Sequence, residues 1–317
     1  MQPDSLDWKK LNNFLLTFFA VLSILCFLGG CYADGVCIWL SFLTLSIWLI
    51  LAGNLLLLPI QLFTKKKWKS IVPLLAVLLH AEYLSAVYQP PCWNRSAAVP
   101  QEGTPLTVVT YNASHFYWNK KYTMNEAAAY IKKQQPDIIC FQEAPDNGYY
   151  HPDSIRQAFA YAPYRSISRR TDHSPVAIYS RYPIHQVKTT ITAPGKTLKV
   201  RVKAAKDLIL KMKDNYRKRA DQADSIHAEI ERSPYPVLVC GDFNDTPASY
   251  TYRQIRKGLT DGSRDCGSGY QYTFRQLYKL WRIDYVFYSK PLKGHECYSP
   301  EKSYSDHNMV VWKGIMN

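Results

Sequence analysis

The stretch VLVCGDFNDTP, residues 237–247, ends an apolar run with polar side chains. Asp242 and Asn244 follow Gly241, with Phe243 between them. Residues two apart in an extended strand point to the same face, so the pattern predicts an acid and an amide side by side at a strand end. Thr246 and the proline after it suit the N-cap and first position of a following helix.

Four other short apolar runs of the chain also end in polar residues. β-branched and aromatic content with bounding Pro, Gly or Asn predicts that they are strands. These runs are LTVVTYN (106–112), DIICFQE (137–143), VAIYSR (176–181) and WRIDYVFYS (281–289). Helical periodicity is predicted for residues 124–135 and 208–231. The layout is typical of a mixed α/β protein with several buried strands.

Acidic and amide side chains lie at the predicted strand ends. Asn112, Glu143 and Asp242 stand at three of them, and SYSDHNMVVW adds Asp306 and His307 before a last apolar run. Each residue alone has an ordinary explanation as a turn residue. Carboxylates gathered at one sheet edge repel one another unless a divalent cation neutralises them, and oxygen ligands favour Mg²⁺ or Mn²⁺.

The beginning of the 317-residue chain is strongly apolar. Residues 14–30, 36–63 and 71–88 predict three membrane spans, since crossing a hydrocarbon core takes about 17 to 25 residues. His80 and Glu82 interrupt the third. A cleaved signal peptide is the alternative for the first span, but its apolar region exceeds the usual length of about 7 to 15 residues and further spans follow.

Basic residues predict the orientation of these spans. Lys9 and Lys10 precede the first span, and four lysines lie between the second and third, whereas the loop between the first two has neither Lys nor Arg. The basic clusters are therefore predicted to be cytoplasmic, and the chain after Tyr88 to lie outside the cytoplasm. Cys31 and Cys37 fall at the external ends, where either a disulfide or two unpaired thiols would be compatible.

Three segments result from these patterns. Residues 1–88 are predicted to be a multi-pass membrane anchor, and residues 89–104, which are rich in Pro, Ala, Gln and Ser, to be a tether. Residues 105–317 are predicted to form the soluble domain. The chain carries a formal net charge of +14, to which residues 196–219 contribute ten Lys or Arg against two Asp. That run is either a solvated helix face or a patch for nucleic acid or anionic lipid.

Six motifs occur in an order that resembles the endonuclease/exonuclease/phosphatase superfamily, which includes DNase I. They are TYNA, CFQEAP, SPVAIYSRYPI, VLVCGDFNDTP, LWRIDYVFY and SYSDHNMVVW. GDFN and SDH together make the signal specific. With its apolar head, the chain looks most like the membrane-anchored bacterial members. The resemblance implies a four-layered α/β sandwich preceded by transmembrane helices, and a Mg²⁺- or Mn²⁺-dependent hydrolase of phosphate esters.

The resemblance also implies roles for individual residues. Glu143 would bind the metal, with Asn112 and Asp306 helping to form its site. Asp242 would orient or deprotonate the attacking water.

Three further residues receive catalytic roles from the same resemblance. Asn244 would hold the phosphate, and His307 would contact the phosphate as it gains charge. Asp284, in RIDYVF, would hydrogen-bond to His307 and orient it.

One family feature is missing from the sequence. The family places an Asn-x-His-Leu strand pair between SRYPI and GDFN, but residues 183–241 contain no N-x-H. A strand pair near residues 193–199 is therefore predicted to be absent, with His185 or Tyr179 the nearest substitutes for its histidine.

Two hypotheses follow. One is a membrane-tethered phosphodiesterase or nuclease-like enzyme outside the cytoplasm, acting on nucleic acid or lipid headgroups. The other is a non-catalytic relative that binds phosphate-containing or anionic partners. No protein partner is predicted.

Overall fold

The structure is a computed structural model that describes residues 5–32, 38–91, 102–145, 148–168, 175–187 and 205–317. It divides into two compact units, which are described separately. The first comprises Met1–Ser85, Val202–Asp224 and Asp245–Gln254, and the second Ala86–Arg201, Ser225–Asn244 and Ile255–Asn317. The predicted loss of strands at residues 193–199, the position of Cys37 and most of the predicted tether lie outside the described residues.

The described residues of the apolar head form five α-helices. They are α1 (Ser5–Cys31), α2 (Ile38–Leu45), α3 (Ile47–Leu62), α4 (Ile71–Leu79) and α5 (Ala81–Val87). Within α1, Trp8–Cys31 is long and apolar enough to cross a membrane. The two later stretches are helix pairs bent by 68° and 55°. By length and composition, the described residues therefore contain one helix that could span a membrane, or up to three such spans if each bent pair is counted as one.

Polar side chains in the first unit pair with one another. The amides of Asn12 and Gln61 exchange hydrogen bonds of 3.1 and 2.7 Å. Asn54 Nδ2 donates to Ser23 Oγ at 3.0 Å, and His80 Nε2 lies 3.2 Å from the Ser23 carbonyl oxygen. Unpaired polar groups are costly in apolar surroundings, so these pairs fix α1 against α3 and against His80 at the end of α4.

The second unit contains the described strands. They are β1 (Tyr88–Gln89), β2 (Thr104–Asn112), β3 (Tyr117–Trp118), β4 (Lys121–Tyr122), β5 (Ile138–Gln142), β6 (Tyr164–Ile167), β7 (Ala177–Ser180), β8 (Leu238–Asp242), β9 (Thr260–Asp261), β10 (Gly269–Tyr270), β11 (Asp284–Tyr288), β12 (Leu292–Tyr298) and β13 (Val310–Met316). The predicted strands are confirmed, with ends shifted by a few residues.

Two larger sheets form the centre of this unit. One has the order β12-β13-β2-β5-β7-β6, and the other the order β8-β11-β9. Strand β2 alternates its contacts: Val108 packs with Val286 and Trp312, whereas Val109 packs with the cluster that contains Ile131. The six-stranded sheet is therefore covered on both faces, which explains its nearly continuous apolar strands.

Five more helices complete the described chain. They are α6 (Met124–Lys133), α7 (Pro152–Ala158), α8 (Ala205–Arg232), α9 (Tyr250–Arg256) and α10 (Gly262–Cys266). Helix α6 packs with the six-stranded sheet through Ile131, and α7 does so through Ile155 together with Phe159, the residue that follows the helix. The observed elements confirm the predicted mixed α/β class.

The helix start predicted at Thr246 is wrong. Helix α9 begins at Tyr250. The backbone carbonyl oxygen of Thr246 instead accepts the backbone N–H of Ser249 in a turn. The Ser249 hydroxyl accepts the N–H of Tyr252 at 3.2 Å, which satisfies one of the free donors of the first turn. The Thr246 hydroxyl donates to the carbonyl oxygen of Thr44, so a contact distant in sequence overrides the local capping preference.

Candidate active site

The end of β8 presents Asp242 and Asn244 together, but not in the predicted extended geometry. The strand ends at Asp242, and Asn244 has a φ of +52°. Asn244 donates its backbone N–H to Asp242 Oδ1 at 2.8 Å and its Nδ2 to Asp242 Oδ2 at 3.2 Å. A turn therefore brings the two side chains together, since asparagine tolerates the left-handed conformation.

Gly241 supports this turn. Its φ is +151°, and a Cβ there would lie 3.3 Å from Nε2 of Gln142. Glycine avoids both the strained conformation and the close contact. The glycine of the GDFN motif thus has a structural reason for its place.

The side chain of Asn112 links the two larger sheets by a hydrogen bond at the candidate site. It is the last residue of β2, and its Nδ2 donates to Asp242 Oδ2 at 3.0 Å. Its Oδ1 accepts the backbone N–H of Ser114 at 3.1 Å, which fixes the orientation of the amide. The side chain of Asp242 is only 4% exposed and receives three N–H donors from its two asparagine neighbours.

Asp284 and His307 form a buried pair beside Asp242. Asp284 is the register partner of Asp242 across β11 and β8. His307 Nδ1 lies 2.9 Å from Asp284 Oδ2, and the side chains are 6% and 0% exposed. His307 Nε2 is 3.9 Å from Asp242 Oδ2. The ring of Phe274 meets the imidazole edge-on at 5.2 Å between centroids and limits its movement.

Burial and mutual charge shift the pKa values of this group. Burial, together with the negative charge of Asp284, raises the pKa of Asp242 to about 7. Burial disfavours a charged imidazole, but the charge and hydrogen bond of Asp284, with the charge of Asp242, outweigh it and raise the pKa of His307 to about 9. Near neutral pH the site thus holds a protonated histidine beside a carboxyl group close to its titration point.

Two hydroxyl groups hold these residues in place, and the sequence analysis predicted neither of them. Ser305 Oγ donates to the Asn112 carbonyl oxygen at 2.8 Å, lies 3.1 Å from Asp306 Oδ1, and accepts the N–H of His307 at 3.2 Å. Thr273 Oγ1 accepts the N–H of Asp284 at 3.0 Å. Ser305 directly precedes the acid and the histidine of SDH, which is the signal that would have indicated it.

Glu143 and Asp306 lie next to Asn112 by strand register and through Ser305. Asn112 pairs with Gln142 across β2 and β5, so Glu143 is the next residue along. Glu143 is half-buried with a φ of +45°, and its carboxylate makes no hydrogen bond or ion pair with the described residues. An amide and two carboxylates are the hard oxygen donors that Mg²⁺ or Mn²⁺ prefers, so the donor chemistry of these residues suits such an ion.

A second arrangement of possible metal ligands overlaps the candidate catalytic residues. Ligand atoms of Asp242, Asp284 and His307 lie within 4.8 Å of one another and could also hold an ion. Asp284 has no exposed side-chain surface and hydrogen-bonds to His307. An ion there would lack the open position that a catalytic metal needs.

The predicted substitutes for the N-x-H histidine differ in accessibility. Tyr179 is 2% exposed and packs against Phe141 and Phe159 in the core. His185 is exposed, just after β7. Tyr179 is thus unsuited to donate a proton to a substrate.

Adding Mg²⁺ or Mn²⁺ is expected to raise the thermal midpoint of the full-length protein in detergent, because an ion that binds only the folded state stabilises it by mass action. Glu143→Gln should abolish the shift. Glu102→Gln is the matched control, since Glu102 is exposed and lies just before the opposite end of β2 from Asn112. A full shift in Glu143→Gln would place the ion elsewhere.

Comparison with known proteins adds a family match. The family model described as "Endonuclease/Exonuclease/phosphatase family" matches residues 109–307 of this sequence. This range contains every candidate residue named above. No curated protein is similar enough to count as a match.

Solved structures give matches of low sequence identity. An endonuclease/exonuclease/phosphatase from Bacteroides vulgatus is 19% identical, with a TM-score of 0.50, covering 68% of this chain and 100% of that one. An AP endonuclease from Archaeoglobus fulgidus is 17% identical, with a TM-score of 0.48 and coverage of 67% and 99%. A mannosyl-6-phosphatase from Bacteroides thetaiotaomicron is 15% identical, with a TM-score of 0.46 and coverage of 67% and 100%. The Bacteroides vulgatus match shows the fold alone.

Proposed function

The chain belongs to the endonuclease/exonuclease/phosphatase family, and on that premise we propose that it is a metal-dependent hydrolase of phosphate esters. Members of the family are phosphoesterases and nucleases, and they generally use divalent metal ions. The observation that carries the proposal is the Asp284–His307 pair beside Asp242, with 2.9 Å and 3.9 Å between the nearest atoms. A buried histidine held between two carboxylates is costly in a protein that has no chemical use for it.

In this proposal Asp242 acts on the nucleophile. Its carboxylate is oriented by donors from Asn112 and Asn244, and its pKa of about 7 suits a general base near neutral pH. Deprotonating a water close to the phosphorus converts it into a competent nucleophile. The asparagine donors keep the carboxylate aligned through that step.

His307 acts on the phosphate. Its Nδ1–H is directed to Asp284, which leaves Nε2–H to donate to a non-bridging oxygen as negative charge develops. Asn244 is exposed and provides a second polar group to hold the phosphate. Both residues are positioned before the substrate arrives, so little reorganisation is needed.

Mg²⁺ or Mn²⁺ would be held by Glu143 with Asn112 and Asp306. Bound there, the ion supplies Lewis-acid stabilisation of the phosphoryl oxygens. The carboxylate of Glu143, which has no partner among the described residues, and the oxygen donor set support this assignment.

The second candidate is a non-catalytic phosphate-binding relative, which the missing N-x-H motif favours. Loss of a positioned proton donor typically lowers the rate by about 10² to 10⁴. A panel of DNA, a choline phospholipid, an alkyl phosphodiester and an aryl phosphodiester, each with Mg²⁺, tests the two candidates. The hydrolase should cleave the aryl ester far better than the alkyl ester, because the aryl leaving group needs little protonation. Binding without cleavage of any of them would favour the second candidate.

We further propose that residues 1–88 are a multi-pass anchor, that residues 89–104 are a tether, and that the catalytic domain, residues 105–317, lies outside the cytoplasm. The lysine distribution supports the orientation. Arg253 Nη1, in the segment after Asn244, lies 3.1 Å from Cys31 Sγ at the predicted external end of α1. That contact supports placing this segment on the same side as Cys31.

A reporter that is active only outside the cytoplasm should be active when fused after Thr104 and silent when fused after Lys67. The expectation follows from three spans with the lysines between the second and third retained inside. Reporter activity and protein abundance would be measured together in the same cells. The reverse pattern would overturn the orientation.

A further inference from the structure

Four aromatic rings form a column next to the candidate metal centre. The ring of His115 stacks on Tyr149 with 5.0 Å between centroids and 18° between planes. The other two contacts are tilted: the ring centroids of Tyr149 and Tyr117 are 5.5 Å apart with 31° between planes, and those of Tyr117 and Tyr122 are 5.0 Å apart with 51° between planes. We call these four residues the aromatic column.

The column begins beside Glu143. The backbone N–H of His115 donates to the Glu143 carbonyl oxygen at 2.8 Å, and His115 Nδ1 lies 3.2 Å from the carbonyl oxygen of Ala144. These two contacts fix the first ring of the column to the segment that carries the proposed metal ligand. The first ring of the column therefore lies next to the backbone of Glu143 and Ala144.

The column is accessible, unlike the aromatic core beneath it. Tyr149 is 40% exposed and Tyr122 is 65% exposed, whereas Phe116 and Phe141 are fully buried. Rings that served only to pack the domain would be buried like the two phenylalanines. Exposed, ordered rings of this size are typical of recognition surfaces.

Positive charge accompanies the column. Tyr122 belongs to the β3-β4 hairpin, whose turn residues Asn119 and Lys120 have φ values of +50° and +62°. Two left-handed residues at these positions are typical of a tight type I′ turn. Lys120 and Lys121 are exposed and form no ion pair with the described residues. The hairpin thus holds two cations close to the exposed ring of Tyr122.

We propose that the aromatic column stacks with the bases of a single-stranded nucleic acid whose phosphate enters the candidate active site. The inference rests on the proposed function and names its substrate class. Ring faces match the flat faces of bases, and lysines beside them match the phosphates between bases. A lipid headgroup would use the lysines but has no planar group to match the rings, so the column favours nucleic acid.

The test measures binding of a fluorescent oligothymidylate to the full-length protein in detergent, by anisotropy and in EDTA so that no cleavage occurs. Tyr149→Ala should weaken binding by about 5- to 100-fold, the effect of losing one stacked base. Tyr149→Phe should bind like the wild type, because the ring remains. Tyr235→Ala is the matched control, since Tyr235 is 76% exposed and precedes β8, at the opposite end of the strand from Asp242.

An abasic strand with the same number of phosphates is the second probe. It should bind the wild type weakly and should bind Tyr149→Ala equally weakly. Equal binding of the base-containing and abasic strands by the wild type would overturn the proposal, and displacement of both by phosphatidylglycerol in the micelles would then assign the surface to anionic lipid. Because binding is measured without turnover, retained base-dependent binding in an inactive protein would contradict the proposed hydrolysis but not the stacking surface.

Discussion

Replacing Asp242 with asparagine is expected to lower the turnover of an aryl phosphodiester by about 10² to 10⁴, the range for loss of a positioned general base. The change keeps the size of the side chain but removes its ability to accept a proton. Both Asn112 and Asn244 donate N–H groups to this carboxylate. In the variant, the new amide NH₂ group would also be a donor, so it could not accept one of these hydrogen bonds. The measurement is the initial rate of nitrophenolate release by the full-length protein with saturating Mg²⁺.

The control for this variant is Asp153→Asn. Asp153 is an exposed acid on α7, and its neutralisation removes the same charge from the protein. Its rate should match that of the wild type. If Asp242→Asn also retained the wild-type rate, Asp242 would not be the base, and the role assigned to the end of β8 would be wrong.

Asp284→Asn is expected to reduce kcat by a similar factor, about 10² to 10⁴, with little change in KM. Asp284 is fully buried and contacts His307 rather than solvent, so it acts as a positioning residue for the imidazole. Asparagine could not stabilise the protonated ring or hold it in one orientation. Rates at a series of substrate concentrations separate kcat from KM.

A double variant distinguishes this role from general destabilisation. Residues that act as a unit show strongly non-additive effects, so Asp284→Asn combined with His307→Gln should be no slower than His307→Gln alone. Thermal midpoints of all three variants would be measured in parallel. A double variant slower by the product of the two single effects would show that Asp284 and His307 act independently.

The sequence predicted the strands and the residues at their ends because apolar β-branched runs stop at polar residues. Asn112 and Asp242 are 130 residues apart, yet both could be placed at strand ends from the local pattern. The pairing of Asp284 with His307 came only from family resemblance. Strand register and the turn before β13 bring these residues together, and neither is visible in a local pattern.

Other features could not be predicted because their causes are distant contacts. The left-handed turn at Asn244 allows its backbone N–H to donate to the Asp242 carboxylate. The later start of α9 accompanies the hydrogen bond from the Thr246 hydroxyl to the Thr44 carbonyl oxygen. Ser305 and Thr273 resemble ordinary turn residues until their partners are known. The aromatic column was missed for the same reason, since Tyr149 follows β5 and its neighbours follow β2.

The most direct test of a metal-dependent hydrolase is the release of nitrophenolate from bis(4-nitrophenyl) phosphate by the full-length protein, measured with Mg²⁺, with EDTA, and with Mg²⁺ restored. We expect turnover with Mg²⁺, its loss in EDTA and its recovery on adding the ion back, with Glu143→Gln inactive throughout. Turnover that persists in EDTA, or that Glu143→Gln retains, would contradict the assigned metal site. No turnover above buffer with either Mg²⁺ or Mn²⁺, in a protein that still binds phosphate esters, would contradict the proposal of catalysis itself.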